Sequence, residues 1–139
     1  MPPKIVFDTN IFISAIIFGG SPRICLEMAR NGEIELYTSK VLLVELASKL
    51  QDKFGWDSED VTSVILGISK FATITQPSIE ISKIRIDPSD NRVLEVAREI
   101  NADFIISGDK KHILSLRKFG KTKIVSAAEF LRRFSPQSS

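Results

Sequence analysis

Short runs of β-branched and aromatic residues alternate along this chain with segments whose apolar residues recur every three or four positions, a pattern that leaves few folds open. Runs of the first kind occupy residues 4–8, 34–38, 72–75, 103–107 and 123–125. Residues 10–18 read as a buried helix ended by Gly19-Gly20, and Pro22 opens another over 23–30. Ser39 caps a helix over 40–53 with Leu42, Leu43, Leu46 and Leu50 along one stripe. Asp57 or Ser58 begins the next, carrying Val61, Val64, Ile65 and Ile68. The isoleucine alternation of 76–86 after Pro77 suggests an extended connection. Asp87-Pro88 opens a helix with Val93, Val96, Ala97 and Ile100 at helical spacing, 108–118 reads as a helix, and Ser126 caps a last one to 134. Strands alternating with helices throughout predict an α/β fold: a parallel sheet of five strands, helices on both faces, and right-handed crossovers.

The length of 139 residues, 43% of them apolar, fits one domain over 1–134 with a frayed tail at 135–139. The longest nearly apolar stretch, 11–18, interrupted only by Ser14, is far short of the roughly 20 residues that cross a bilayer, so no membrane association is expected. Asp8 interrupts any secretory signal, and Cys25 has no second cysteine to bridge, which makes the cytoplasm the expected compartment. The net charge of +2 hides an asymmetry, because residues 109–139 carry +6 and residues 1–108 carry −4. A basic end on an acidic body could hold a phosphate backbone; on charge alone, solvated helix faces are the simpler reading.

Ligand sites in such sheets lie at the carboxyl ends of the strands, where strand order reverses. Asp8 ends the first strand, and Asp109 follows the fourth by two residues, which puts both on that rim. Asp90 shares the inward stripe of its helix with Leu94 and Ala97, while Glu45 sits off its leucine stripe with Lys49 one turn ahead. Singly, each acid has a structural explanation: Asp8 and Asp109 as helix caps, Asp90 as a first-turn acid, Glu45 as an ion pair with Lys49. Gathered, three or four carboxylates would repel one another unless a divalent cation kept them ionised. An oxygen-only set without His or Cys suits Mg²⁺ or Mn²⁺, and magnesium chemistry of this kind is done on phosphodiesters.

Asp8-Thr9-Asn10, Glu45 in the leucine-rich helix, Asp87-Pro-Ser-Asp90-Asn-Arg-Val-Leu-Glu-Val-Ala97 and Ala102-Asp-Phe-Ile-Ile-Ser-Gly-Asp109 resemble, in this order, the motifs of the PIN-domain family. The likeness spans residues 4–134 and is nearest to VapC-like toxins of toxin-antitoxin pairs. It implies a PIN-like α/β/α sandwich and a Mg²⁺- or Mn²⁺-dependent endoribonuclease, dimeric, cutting single-stranded RNA and held in check by an antitoxin protein. Carried over position by position, Asp8, Glu45, Asp90 and Asp109 match the four catalytic, metal-holding acids, and Thr9, Asn10 and Ser107 match polar residues that orient them. Many members have one more acid just after the fourth; here Lys110-Lys111-His112 follows, which weakens a second metal and leaves Lys110 and Lys111 to meet substrate phosphates.

His112, Cys25, Trp56 and Tyr37 read as packing or surface residues. Two other classes compete with the nuclease. A receiver-type phosphoacceptor needs paired acids after the first strand, where only Asp8 stands, before Thr9-Asn10. A catalytically silent module of the same fold, binding RNA or a protein partner, is the stronger alternative.

Overall fold

The structure, a computed structural model, describes residues 1–81, 88–108 and 113–134. Its elements run β1 (Lys4–Phe7), α1 (Thr9–Ile13), α2 (Gly20–Arg30), β2 (Glu35–Ser39), α3 (Lys40–Asp52), α4 (Ser58–Ser69), β3 (Thr73–Thr75), α5 (Pro88–Ile100), β4 (Phe104–Ile106), β5 (Lys118–Phe119), β6 (Thr122–Val125) and α6 (Ala127–Arg133). One sheet of order β3-β2-β1-β4-β6-β5 joins all six strands, parallel except for β5 against β6. The strand order reverses between β2-β1 and β4, as in doubly wound sheets.

The period of two along the strands divides the core into two layers. Ile5, Phe7, Phe104, Ile106 and Val125 face a core shared with α1, α2, α3, α4 and α6. Val6, Ile105 and Ile124 face the opposite core, filled chiefly by Val93, Leu94, Val96 and Ala97 of α5. A sheet covered on both faces is what a parallel arrangement requires, and it explains why these strands read as continuous apolar runs.

Three sequence expectations are corrected. The sheet has six strands, because the segment expected to be helical to residue 118 does not stay helical: Leu114–Leu116 forms a single 3₁₀ turn and Lys118–Phe119 becomes β5. Arg117 takes φ +63, which ends any helix there, and Gly120 at φ +60 turns the chain so that Phe119 pairs with Thr122. The helix expected over 10–18 starts at Thr9, because Asp8 caps it, and loosens into a π-helical turn at Ser14–Phe18, with the Gly19 N–H bonded to the Ser14 carbonyl at 2.8 Å. Finally, α2 begins at Gly20, ahead of Pro22, rather than at residue 23. The tail expected beyond residue 134, 135–139, lies outside the described residues, as do residues 82–86 of the expected 76–86 connection. Among the described residues no single helix is long and apolar enough to cross a membrane.

Candidate active site at the carboxyl rim of the sheet

Parallel register fixes what meets at the rim. Phe7 pairs with Ile106, and Ile106 with Val125, so the next residues, Asp8, Ser107 and Ser126, emerge side by side. On the other flank Ser39 ends β2 beside Thr75. Asp8, Ser39 and Ser126 each accept a hydrogen bond from a backbone N–H of the helix that follows, which brings the N-termini of α1, α3 and α6 to one edge. Their aligned peptide dipoles favour anions there.

Asp8 is buried (2% exposed) and its two oxygens have different duties. Oδ1 accepts the Ile11 N–H at 2.9 Å, while Oδ2 accepts the Ser107 hydroxyl from the neighbouring strand. Backbone bonds from Asp8 N–H to the Ile106 carbonyl and from Ser107 N–H to the Val125 carbonyl hold the pair in place, at 3.1 and 3.0 Å. The capping role anticipated for Asp8 is therefore real, and it leaves the carboxylate on the rim. Thr9, also buried, has an Oγ1 with no hydrogen-bond partner among the described residues.

Asp90 lies on the inward side of the first turn of α5, buried like Leu94 and Ala97 on the same stripe. Helix α5 packs against both β1 and α3, and its Arg92 shares a cleft with Ser39 and Thr75 at the carboxyl ends of β2 and β3. Glu45 projects from α3 and pairs with Lys49 at 3.2 Å; Lys49 Nζ also donates to Asn10 Oδ1 at 3.4 Å. The expected ion pair of Glu45 is thus present within α3, and the Lys49 bond to Asn10 links α3 to α1. Asn10 accepts a hydrogen bond from Lys49, and Ser107 donates one to Asp8. Asp8, Asp90, Asn91 and Ser107 engage further partners as well.

Asp109, Lys110, Lys111 and His112 lie outside the described residues. Among the described residues no three His, Cys, Asp or Glu side chains gather closely enough to hold a metal ion. The donors that are described are all hard oxygens, the class that suits Mg²⁺ or Mn²⁺.

Some polar residues here carried no sequence signal strong enough to single them out. Asn91 is buried beside Asp90, and Glu95 is buried one turn further on. Glu95 Oε2 accepts the Ile81 N–H at 2.7 Å and pairs with Arg92 at 2.9 Å, while Arg92 donates to the Ile81 carbonyl at 2.9 Å. Both backbone groups of Ile81 are thereby gripped by α5. The only hint was an Arg-Glu pair at i, i+3 on a helix otherwise striped with Val, Leu and Ala. Arg92 and Glu95 also line a cleft of about 550 Å³ with Ser39, Lys40, Thr75 and Pro77; it opens on the same rim toward the β3 edge and includes neither Asp8, Glu45 nor Asp90.

Cys25 and the two aromatic residues keep their bland readings. The Cys25 thiol is buried against the Ala127 carbonyl, and burial pushes its pKa up to about 12. Trp56 packs against the larger core, and the Tyr37 hydroxyl bonds Glu35 at 3.2 Å; its pKa is raised, by desolvation first and then by that carboxylate.

Comparison with known proteins bears on the family and the fold. The chain is 32% identical to the uncharacterized protein MJ1680 of Methanocaldococcus jannaschii, over 94% of this chain and 91% of that one. Its fold is similar to a chain in the crystal structure of VapBC2 from Rickettsia felis bound to a DNA fragment from their promoter, with a TM-score of 0.60 and 17% identity, covering 87% of this chain and 96% of that chain. The PIN-domain family model matches residues 4–111, and with the doubly wound sheet and the buried Asp8 on its carboxyl rim, this chain belongs to the PIN-domain family, whose members are generally nucleases that use divalent metals.

Proposed function

We propose that the protein is a Mg²⁺- or Mn²⁺-dependent endoribonuclease that hydrolyses phosphodiester bonds of single-stranded RNA in the cytoplasm, as the toxin of a toxin-antitoxin pair. The observation that carries this reading is the buried Asp8 carboxylate, fixed by Ser107 across β1 and β4 at the carboxyl rim of a PIN domain. Asp8, Glu45, Asp90 and Asp109 would hold the cation, and their oxygen-only chemistry fits it. A bound divalent ion supplies charge stabilisation at the scissile phosphate and lowers the pKa of water. Ser107 holds the Asp8 carboxylate in place by donating its hydroxyl to Oδ2. Lys49 holds Glu45 against α1 until an ion competes for it. Lys110 and Lys111 would meet phosphates flanking the cut, and the helix N-termini at the rim favour the same anions. Hydrolysis is then an in-line attack of water on phosphorus with expulsion of the ribose oxygen.

The likeness of the fold to VapBC2 supports an antitoxin partner for this chain. A homodimer would use the outer faces of α3 and α4, where Val41, Val44 and Leu66 are more than half exposed. Incubation of the protein with unstructured RNA and Mn²⁺, beside an Asp8→Asn variant, tests the activity: cleavage by the wild type alone is expected. Equal cleavage by both, or none with any divalent metal, contradicts it. The second reading is a silent PIN module that binds RNA or a protein partner; the Glu45-Lys49 pair favours it, because that carboxylate already has a cation.

A further inference from the structure

The described part of the basic end does not lie at the carboxyl rim. Lys110 and Lys111 follow the carboxyl rim in sequence, but Lys118, Lys121 and Lys123 belong to the β5-β6 hairpin, whose turn is at the opposite, amino end of the sheet. Lys123 pairs with Phe104, at the start of β4, and Phe104 in turn with Ile5 of β1. Lys118 stands directly opposite Lys123 in the antiparallel ladder, so the two ammonium groups share one face. That face is the one packed by α6, since Val125, two residues on from Lys123, and Phe104, its partner, both join the core with Phe130. Helix α6 ends in Arg132 and Arg133, both exposed.

Like charges directly across a strand pair cost stability, and nothing described offsets the cost. The ion pairs among the described residues are Arg30-Glu27, Lys49-Glu45 and Arg92-Glu95; none involves a cation from residues 113–134. Asp103, the acid nearest in register, gives an oxygen to the Lys4 N–H at 2.8 Å. On the other face of the hairpin Arg98 covers the Phe119 ring at 5.2 Å, adding a cation.

We propose that this hairpin, with Lys118, Lys121 and Lys123 backed by Arg132 and Arg133, is a second binding site for the RNA phosphate backbone, distinct from the carboxyl rim. Its ligand is the single strand on either side of the segment that reaches Asp8. Lys123 is level with Ile5, three residues short of Asp8, and two strands away, so the two places are roughly 10 Å apart along the strands and roughly 10 Å across them. A short run of nucleotides spans that. The site reads no bases: it adds affinity and salt dependence, and it keeps a long strand on the protein. The inference rests on the nuclease reading for its ligand, RNA, and for the place of the cut strand at Asp8.

The test is equilibrium binding of a fluorescent, unstructured oligouridylate in EDTA, where no cleavage intervenes, as a function of salt. Lys118→Gln/Lys123→Gln is the main variant and Lys118→Glu/Lys123→Glu the stronger one, both checked for a thermal melt no lower than that of the wild type. Loss of two phosphate contacts is expected to weaken binding about tenfold and to flatten the log-log salt slope by roughly 1.4, from about 0.7 per contact on a single strand. Cleavage of an oligonucleotide too short to reach the hairpin should not change. Absence of RNA binding by the wild type, an unchanged slope in the variants, or tighter binding of duplex DNA or an acidic peptide than of the oligouridylate would overturn the proposal. Unchanged binding with increased aggregation would assign the lysines to guarding the sheet edge instead. Because binding is read without metal, a hairpin result stands whether or not the protein cleaves RNA.

Discussion

Ser107 and Asp8, ninety-nine residues apart in the chain, are joined by a hydroxyl-to-carboxylate hydrogen bond across β1 and β4 at the point where strand order reverses. Ser107 has no exposure to solvent. Its hydroxyl therefore serves the carboxylate and not water. Ser107→Ala is expected to lower RNA cleavage by roughly 10–100-fold with little change in KM, the effect of losing a residue that orients a ligand. The same change should cost about 1–2 kcal/mol of stability, read from a denaturant titration. Unaltered cleavage would remove Ser107 from the site.

Glu45 separates the two readings of the rim. Its pair with Lys49 is partly exposed, and such pairs are worth about 0–1 kcal/mol, so Glu45→Gln should leave the melting temperature nearly unchanged. If Glu45 holds the metal, the same substitution should lower cleavage by more than the ~10–100-fold of a merely supporting residue. Full activity in Glu45→Gln would assign the carboxylate to the ion pair alone.

Glu95 is tied to Arg92 and to the Ile81 backbone from a buried position. Truncating one member of such a group leaves the others unpaired, and Glu95→Ala is expected to cost about 2–3 kcal/mol, with Glu95→Gln costing less. Hydrogen exchange at the Ile81 amide should accelerate in Glu95→Ala far more than exchange in the β1 amides.

The Cys25 thiol supplies a pH dependence. Its pKa rises from 9.0 to about 12 on folding, so the folded state holds a proton that the unfolded state releases. The stability tied to this proton is complete below about pH 9 and is lost progressively as pH rises toward about 12. Thermal melts across that window should fall for the wild type and fall less steeply for Cys25→Ala. Alkylation of the native thiol at neutral pH should be slow until denaturant is added.

Much of the fold was legible because the core is made by pattern. Ile5, Phe7 and Val6 alternate between two cores, and the stripes of α3 and α5 run at helical period, so local sequence and tertiary burial agree. The caps Asp8, Ser39, Asp57 and Ser126 were readable for the same reason: each is a short polar side chain just ahead of a helix. Strand β5 was not, since two residues carry no period, and only Gly120 between Phe119 and Thr122 hinted at a hairpin. At the site, Asp8 and Asp90 could be placed from strand ends and a helical stripe. Resemblance, not periodicity, pointed to Ser107, and the grip of Arg92 and Glu95 on Ile81 depends on a backbone fourteen residues before Glu95 that no local pattern brings near.

The most direct test of the central claim, that distant carboxylates share one divalent ion, is Mn²⁺ binding followed by electron paramagnetic resonance without RNA. Asn caps a helix as well as Asp, so Asp8→Asn should fold, which keeps the comparison fair. Saturable Mn²⁺ binding by the wild type is expected, weakened at least tenfold in each of Asp8→Asn, Glu45→Gln, Asp90→Asn and Asp109→Asn. Equal Mn²⁺ affinity in the wild type and all four variants, or no binding by any of them, would contradict it.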